Sequence, residues 1–384
     1  MIPISKPWMD EREADAARRP ILSGWVTTGP ETAAFEAEFA EVVGAPHACA
    51  VSSATTGLHL ALLAVGVKPG DEVITVSHSY IATANSVVYC NAIPVFVDID
   101  PATYNLDPTL LAGAVSEKTS AILVAHQIGM PCDMDTVLAF ARTHNLPVVE
   151  DAACAIGSEV CVDGAWGAIG APHGDAAVFS FHPRKVISTG DGGMITSKSA
   201  EVDAFCRLRR SHGMSIPPVD RHAGPTMRYE SHDVLGFNYR MTDIQAAVGR
   251  VQLQRMPDIV ARRRALGERY AAGLADLGWT PPAEPDRSRT NWQSYCVRLP
   301  DELDQKEVLQ RLLELGVGAK QAVMNAHSEP AYAETSWRAA PSGLGHSEAA
   351  RNRCILLPLY PTLTEAEVDT VLGAVKKVAG GVGE

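Results

Sequence analysis

Strand-like and helix-like segments alternate through the first two thirds of this chain, and that alternation limits the possible folds more than any other feature. The runs EVITV (72–76), IPVFVDI (93–99), SAILVAH (120–126), LPVVED (146–151), DAAVFSF (175–181) and GGMITS (192–197) read as buried strands. Between them lie stretches that read as helices: LHLALLAVGV (58–67), ATANSVVYCNA (82–92), DPTLLAGAV starting at the N-cap Asp107, and DMDTVLAFARTHN (133–145). This spacing predicts βαβ units, hence an α/β fold with a mostly parallel sheet and helices on both faces. In such sheets ligands bind beyond the carboxyl ends of the strands. That rule selects the turns after Ala50–Val51, after Val149 and after Phe181.

From Thr242 to Leu277 the pattern predicts one or two long connecting helices, broken or kinked at Pro257. The Pro-rich turn TPPAEPD (280–286) follows. After it come a strand (QSYCVRL), a helix (QKEVLQRLLELG) and a final helix (EAEVDTVLGAVKKVA), the makings of a smaller α+β domain. The expected division is residues 1–250 as the large ligand-binding domain and 251–384 as the small one, connecting helix included.

Composition excludes several classes of function. The net charge is −12, and an acidic surface repels phosphate backbones, so no nucleic-acid partner is expected. Any anionic ligand must be caught by local donors against that field. The start MIPISKPWMDERE lacks a basic region followed by an apolar run, and the apolar stretch at 58–67 is too short to span a bilayer. The expectation is a cytoplasmic protein without membrane contact. The eight cysteines contain no CxxC pair and read as reduced thiols. With His222 and His232 they show no ligand spacing, so no metal is expected.

Several residues are placed to carry chemistry. Asp151 ends the strand LPVVED and can point a carboxylate into the ligand crevice, although a loop acid or an N-cap reads the same way; Glu150 alternates to the other face. In FSFHPRKVISTGDGGMI, Ser180 closes a strand and Lys185 lies just before a Gly-rich turn. A surface lysine is the commoner case, but one held between a buried strand and such a turn can be desolvated and form an imine. In AVSSATTGLHLALL, a strand runs into a Ser/Thr turn and then a helix, whose free amides and positive end form an anion site, with Ser53, Thr55 and Thr56 adding hydroxyls. An ordinary N-cap explains that turn equally well. Tyr80 follows EVITV, where its ring can cover a bound heterocycle or simply pack. Asn238, Tyr239 and Arg240 form a polar cluster before a helix that Asp243 can cap. Together these supply what pyridoxal 5'-phosphate (PLP) needs: a phosphate site, a stacking ring, an acid for the pyridine nitrogen and a lysine for the aldehyde.

The same stretches, from SGWVTTGPETAAFEAEFAEVVGA to LPLYPTLTEAEVD, resemble the DegT/DnrJ/EryC1/StrS aminotransferases, the sugar aminotransferases of fold-type I, over nearly the whole chain. The resemblance implies that Lys185 carries the cofactor as a Schiff base and shuttles the proton, and that Asp151 partners the pyridine nitrogen. It implies stacking by Tyr80 and phosphate contacts from Thr55, Thr56 and Ser180. It also implies a homodimer with shared active sites, in which Asn238 reaches the partner's phosphate. Three departures stand out. The turn has Ala54 where glycine is usual, and Thr56 and Gly57 where alanine is usual. Cys154 replaces the Gln or His that touches the cofactor's phenolic oxygen. GAKQAVMNAHSEPAY stands in place of a His-Tyr-Pro segment, which makes Lys320, Gln321 and His327 the substrate-binding candidates.

The implied activity is ping-pong transfer of an amino group from L-glutamate or L-glutamine to a nucleotide-linked ketosugar or a keto-cyclitol, in the biosynthesis of an amino sugar or an aminocyclitol antibiotic. A sugar dehydratase of the same family would have histidine in place of Lys185. A non-catalytic regulatory protein on this fold would need neither Lys185 nor Asp151.

Overall fold

The β-branched runs form the strands of one large sheet, as the alternation predicts. The computed structural model describes residues 1–216 and 229–380; His222 lies outside them. The chain opens with α1 (Glu11–Ser23) and α2 (Pro30–Val43), then passes through β1 (His47–Val51), α3 (Ala54–Ala64), β2 (Glu72–Val76), α4 (Ile81–Tyr89) and β3 (Ile93–Val97). It continues with α5 (Leu111–Ala114), β4 (Thr119–Ala125), α6 (Met134–His144) and β5 (Val148–Asp151). A hairpin of β6 (Glu159–Val162) and β7 (Ala165–Ala168) precedes β8 (Ala176–Ser180), β9 (Gly193–Ser197) and α7 (Ala200–Arg210). The long α8 (Asp243–Leu274) leads to β10 (Ser288–Arg289), β11 (Tyr295–Arg298), α9 (Gln305–Glu314), β12 (Lys320–Gln321) and β13 (Arg338–Ala339). Last come α10 (Gly345–Arg353), β14 (Cys354–Leu357) and α11 (Glu365–Gly380).

The eight-stranded sheet has the order β1-β9-β8-β5-β4-β2-β3-β13. Only β9 runs antiparallel, pairing with β1 and β8. Its central strands are buried on both faces, which is why they read as unbroken apolar runs rather than alternating ones. Phe35, Phe39, Phe179 and Phe181 interlock on one face, with ring centroids 5.0–6.0 Å apart. Leu58, Leu60, Leu62 and Val87 from α3 and α4 cover the other. A separate core, including Tyr270, Tyr295, Leu312 and Val368, lies under the three-stranded sheet β11-β14-β12. The strand β13 crosses back and pairs with β3 of the large sheet.

Two local expectations are corrected. Pro257 does not break the connecting helix: α8 runs unbroken through it for 32 residues. The amide hydrogen bond that proline removes is offset by packing along the helix: Leu253, Ile259 and Val260 are buried, and Arg255 Nε and Nη2 bond Glu13 of α1 at 2.7 and 2.9 Å. Asp243 does not cap its own helix, which Thr242 and Gln245 cap instead. Its carboxylate accepts from Gly29 N (2.7 Å), Thr32 N (3.0 Å) and Thr32 Oγ1 (2.6 Å), so it caps α2. Among the described residues, no helix is long and apolar enough to cross a membrane.

His78 ties the large sheet to the C-terminal third. It is buried just after β2, and its Nδ1 lies 2.8 Å from Asn325 Oδ1. Burial pushes its pKa down from 6.5 to about 4. The folded value lies below the unfolded one, so the stability held by the neutral ring is complete above pH 6.5 and is lost as pH falls toward 4. At 1.36 kcal/mol per unit this amounts to about 3 kcal/mol. Urea titrations at pH 7 and pH 4.5 should show His78→Asn losing less stability across the interval than the parent. Equal losses would contradict the assignment.

Candidate active site

The carboxyl ends of β5 and β8 and the turn after β1 open into one cavity of about 600 Å³. Its walls include Ser53, Thr55, Tyr80, Asp151, Cys154, Ser180, Lys185, Lys320 and Gln321. These residues lie far apart in sequence and are gathered by the parallel topology.

Asp151 is the last residue of β5 and only 8% exposed. Its Oδ2 accepts from Thr83 Oγ1 at 2.7 Å and its Oδ1 from Ala153 N at 3.1 Å. Ser79 Oγ lies 2.7 Å from Thr83 Oγ1; since that hydroxyl donates to Asp151, Ser79 is its donor. The carboxylate is therefore fixed by a short relay from the start of α4. Glu150 faces away, bonded to His126 Nε2 at 3.0 Å and Gly174 N at 2.7 Å.

After β8 the chain makes a tight turn, Lys185 N donating to His182 O at 2.8 Å, and then passes Gly190, whose φ of +85° suits glycine. The turn delivers the Lys185 ammonium into the cavity, 3.0 Å from Cys154 Sγ. The thiol thus sits beside the lysine nitrogen. Gly193 of β9 packs against the start of α3, where a Cβ would fall 2.6 Å from Ser53 C and 2.7 Å from Ala54 N.

Ser53 caps α3, its Oγ accepting from Thr56 N at 3.2 Å. The Thr56 hydroxyl donates back to Ser53 O at 2.8 Å and is not on the cavity wall. Thr55 is on the wall, and among the described residues its hydroxyl has no partner. The first amides of α3 and the Thr55 hydroxyl thus remain to receive an anion, and the Ser180 hydroxyl, which accepts from His182 N at 3.4 Å, can still donate to one.

Tyr80, 64% exposed, stands at the cavity edge as the N-cap of α4. Lys320 is half-buried; burial, then the nearby Arg184 and Lys185, push its pKa down. The same causes lower His182. Arg184 and Lys320 supply the local positive charge that the net charge of −12 denies. Gln321 is tied back, Nε2 donating to Arg351 O at 3.0 Å. His327 lies off the cavity, Nδ1 2.6 Å from Ser77 Oγ and Nε2 3.5 Å from Glu348 Oε1. Asn238 is exposed, off the cavity wall and bridged to Ser211.

Several supporting residues carry no signal in the sequence. Thr83, one turn after Tyr80, is the exception, since that spacing puts both on one helix face. Asn291 donates to Cys154 O (2.7 Å) and Ile156 O (2.8 Å) and so fixes the loop behind Lys185. Gln293 Nε2 holds Arg184 O at 2.7 Å. Ile128 lines the cavity at φ +53°, a left-handed conformation that costs a β-branched residue about 1–3 kcal/mol.

The donor set fits PLP. A buried, doubly bonded carboxylate suits a protonated ring nitrogen, a helix N-terminus with free hydroxyls suits a phosphate, and Lys185 suits an aldehyde. Among the described residues, no three His, Cys, Asp or Glu side chains gather as metal ligands would.

Comparison with known proteins bears on the same site. Residues 7–376 match the profile of the DegT/DnrJ/EryC1/StrS aminotransferase family. A GDP-perosamine synthase of Caulobacter vibrioides is 40% identical over 382 residues, 98% of each chain. The structure of the aminotransferase TlmJ from Streptoalloteichus hindustanus, 34% identical, superposes with a TM-score of 0.90 over 100% of both chains. That of Spr1654 from Streptococcus pneumoniae in its PLP form, 27% identical, gives 0.88 over 98% of each.

Proposed function

Because this chain belongs to the DegT/DnrJ/EryC1/StrS aminotransferase family, whose members depend on PLP, we propose that it transfers an amino group from L-glutamate or L-glutamine to a ketosugar linked to a nucleoside diphosphate. The observation that carries this reading is the convergence of Asp151, Lys185, the start of α3 and Lys320 on one cavity.

PLP, when bound, supplies the carbonyl carbon that takes up the amino group and a ring that withdraws electrons. In this reading Asp151 holds the proton on the ring nitrogen, and Thr83 and Ala153 hold Asp151. Thr55, Ser180 and the first amides of α3 hold the phosphate, and Tyr80 covers the ring. Lys185 Nζ takes the proton from Cα of the donor, which gains its carbonyl oxygen from one water and leaves as its oxo acid. In the second half Lys185 Nζ gives a proton to the acceptor carbon, the ketone oxygen departs as water, and the acceptor leaves as an amine. Cys154 Sγ lies 3.0 Å from Lys185 Nζ and so flanks the proton-carrying nitrogen.

Lys320 and Arg184 favour an acceptor that carries phosphate. An uncharged keto-cyclitol would leave both without a partner. The GDP in the name of the Caulobacter relative supports the same class. The expected result of Lys320→Ala is an acceptor KM about tenfold higher, as for one lost charge-assisted contact, with the donor half-reaction unchanged. Steady-state kinetics with a nucleotide-linked 4-ketohexose check this; an unchanged KM would remove Lys320 from the site. Exposed Asn238, flanked by exposed Leu235 and Tyr229, supports a homodimer in which Asn238 serves the partner's phosphate. The reaction is set in amino-sugar biosynthesis.

A further inference from the structure

We infer that the segment Ile2–Ser5 is a fixed wall of the acceptor half of the cavity, and that the Ser5 hydroxyl is a sugar-selecting group. The inference rests on the nucleotide-sugar reading above and deepens it.

Ile4 and Ser5 both line the cavity. They reach it through backbone pairing with the segments that flank β12 and β14. Ile2 N donates to Gly316 O and Gly318 N to Ile2 O, each at 2.8 Å, and Leu359 N donates to Ile4 O at 3.2 Å. Gly318 permits the approach, since a Cβ there would lie 2.8 Å from Ile2 O. The segment is anchored in two cores: Ile2 is buried with Leu312 and Val317, whereas Ile4 and Trp8 pack against the core of the large sheet. Downstream, Trp8 O accepts from Gln252 Nε2 at 2.8 Å and the Trp8 ring lies 5.2 Å from the Arg255 guanidinium. A segment bonded on both sides, buried in one core at Ile2 and packed against the other at Ile4 and Trp8, is a rigid wall.

Ser5 is half-buried, and among the described residues its hydroxyl makes no hydrogen bond. Three other polar side chains of the cavity wall are committed: Thr83 to Asp151, Gln293 to Arg184 O, Gln321 to Arg351 O. A free hydroxyl on a rigid wall is matched by a ligand hydroxyl, which a sugar offers. The amino donor is recognised by its carboxylates, for which Ser5 carries no charge. Ser5 also lies on the wall that supplies Lys320, through Gly318 and Leu359. Lys320 then reads the phosphate of the acceptor and Ser5 its sugar.

The test uses the full chain loaded with PLP, as parent, Ser5→Ala and Ser5→Trp. GDP-mannose, a nucleoside-diphosphate hexose without a ketone, serves as the binding probe by calorimetry. The cofactor's absorbance change on adding L-glutamate reports the donor half-reaction separately. Expected are probe affinity about threefold lower in Ser5→Ala, as for one neutral hydrogen bond, at least about tenfold lower in Ser5→Trp, as for a blocked pocket, and donor rates within about twofold of the parent in both. Parental probe affinity in both variants would overturn the inference, as would donor rates that fall in step with affinity. If Ser5→Trp does not fold, Ser5→Ala, which only removes an oxygen, decides alone. Failure of the parent itself to bind GDP-mannose would overturn the nucleotide-sugar reading, and this inference with it.

Discussion

Lys185→Ala is expected to lose both the cofactor's visible absorbance and turnover, the latter by at least about 10³-fold. General acid–base catalysis alone is worth about 10²–10⁴-fold, and this one amine is also assigned the covalent link to the aldehyde. Lys320 shares the cavity but belongs to a different wall, set by β12 rather than by the turn after β8. Lys320→Ala should therefore keep the absorbance that Lys185→Ala loses, and spectra of the two purified variants make the comparison. A Lys185→Ala protein that retained colour and rate would show that another group does this work.

Asp151→Asn should keep the cofactor and lose about 10²–10³-fold in kcat, the range for removing one preorganised electrostatic contact. The neutral amide cannot hold a proton on the ring nitrogen, so the ring withdraws electrons less strongly. The substitution also disturbs its own anchors. Thr83 Oγ1 and Ala153 N both donate to the carboxylate, at 2.7 and 3.1 Å, and an amide offers one acceptor oxygen where the acid offers two. Stopped-flow measurement of the donor half-reaction checks the prediction. A rate within threefold of the parent would mean that Asp151 only supports the fold.

Most of the large sheet was legible because its strands are buried on both faces. Residues 72–76, 120–126 and 146–151 leave no polar face to confuse the reading. The carboxyl ends of the strands that finish at Val51, Asp151 and Phe181 then pointed to the Ser53–Thr56 turn, Asp151 and Lys185, because parallel topology fixes where ligands bind. What stayed hidden depends on tertiary pairing. Asp243 looks like a cap for its own helix, and only the approach of α2 makes it a cap for Gly29–Thr32. Pro257 carries a strong local signal for a break, overridden by the packing of α8 against α1. The strand β13 has two residues and no periodicity, so nothing local marked it as an edge of the large sheet. Thr56 and Thr55 are identical as letters; the fold turns one hydroxyl into the cap and leaves the other on the cavity.

The most direct measurement is borohydride reduction of the PLP-loaded enzyme, followed by peptide mass spectrometry. Reduction makes any link between the cofactor and a lysine permanent, so the labelled peptide reports the attachment point. One reduced cofactor per chain on the peptide containing Lys185 is the predicted result. A label on Lys320, or no label at all, would contradict the assignment from which every other role in the cavity was derived.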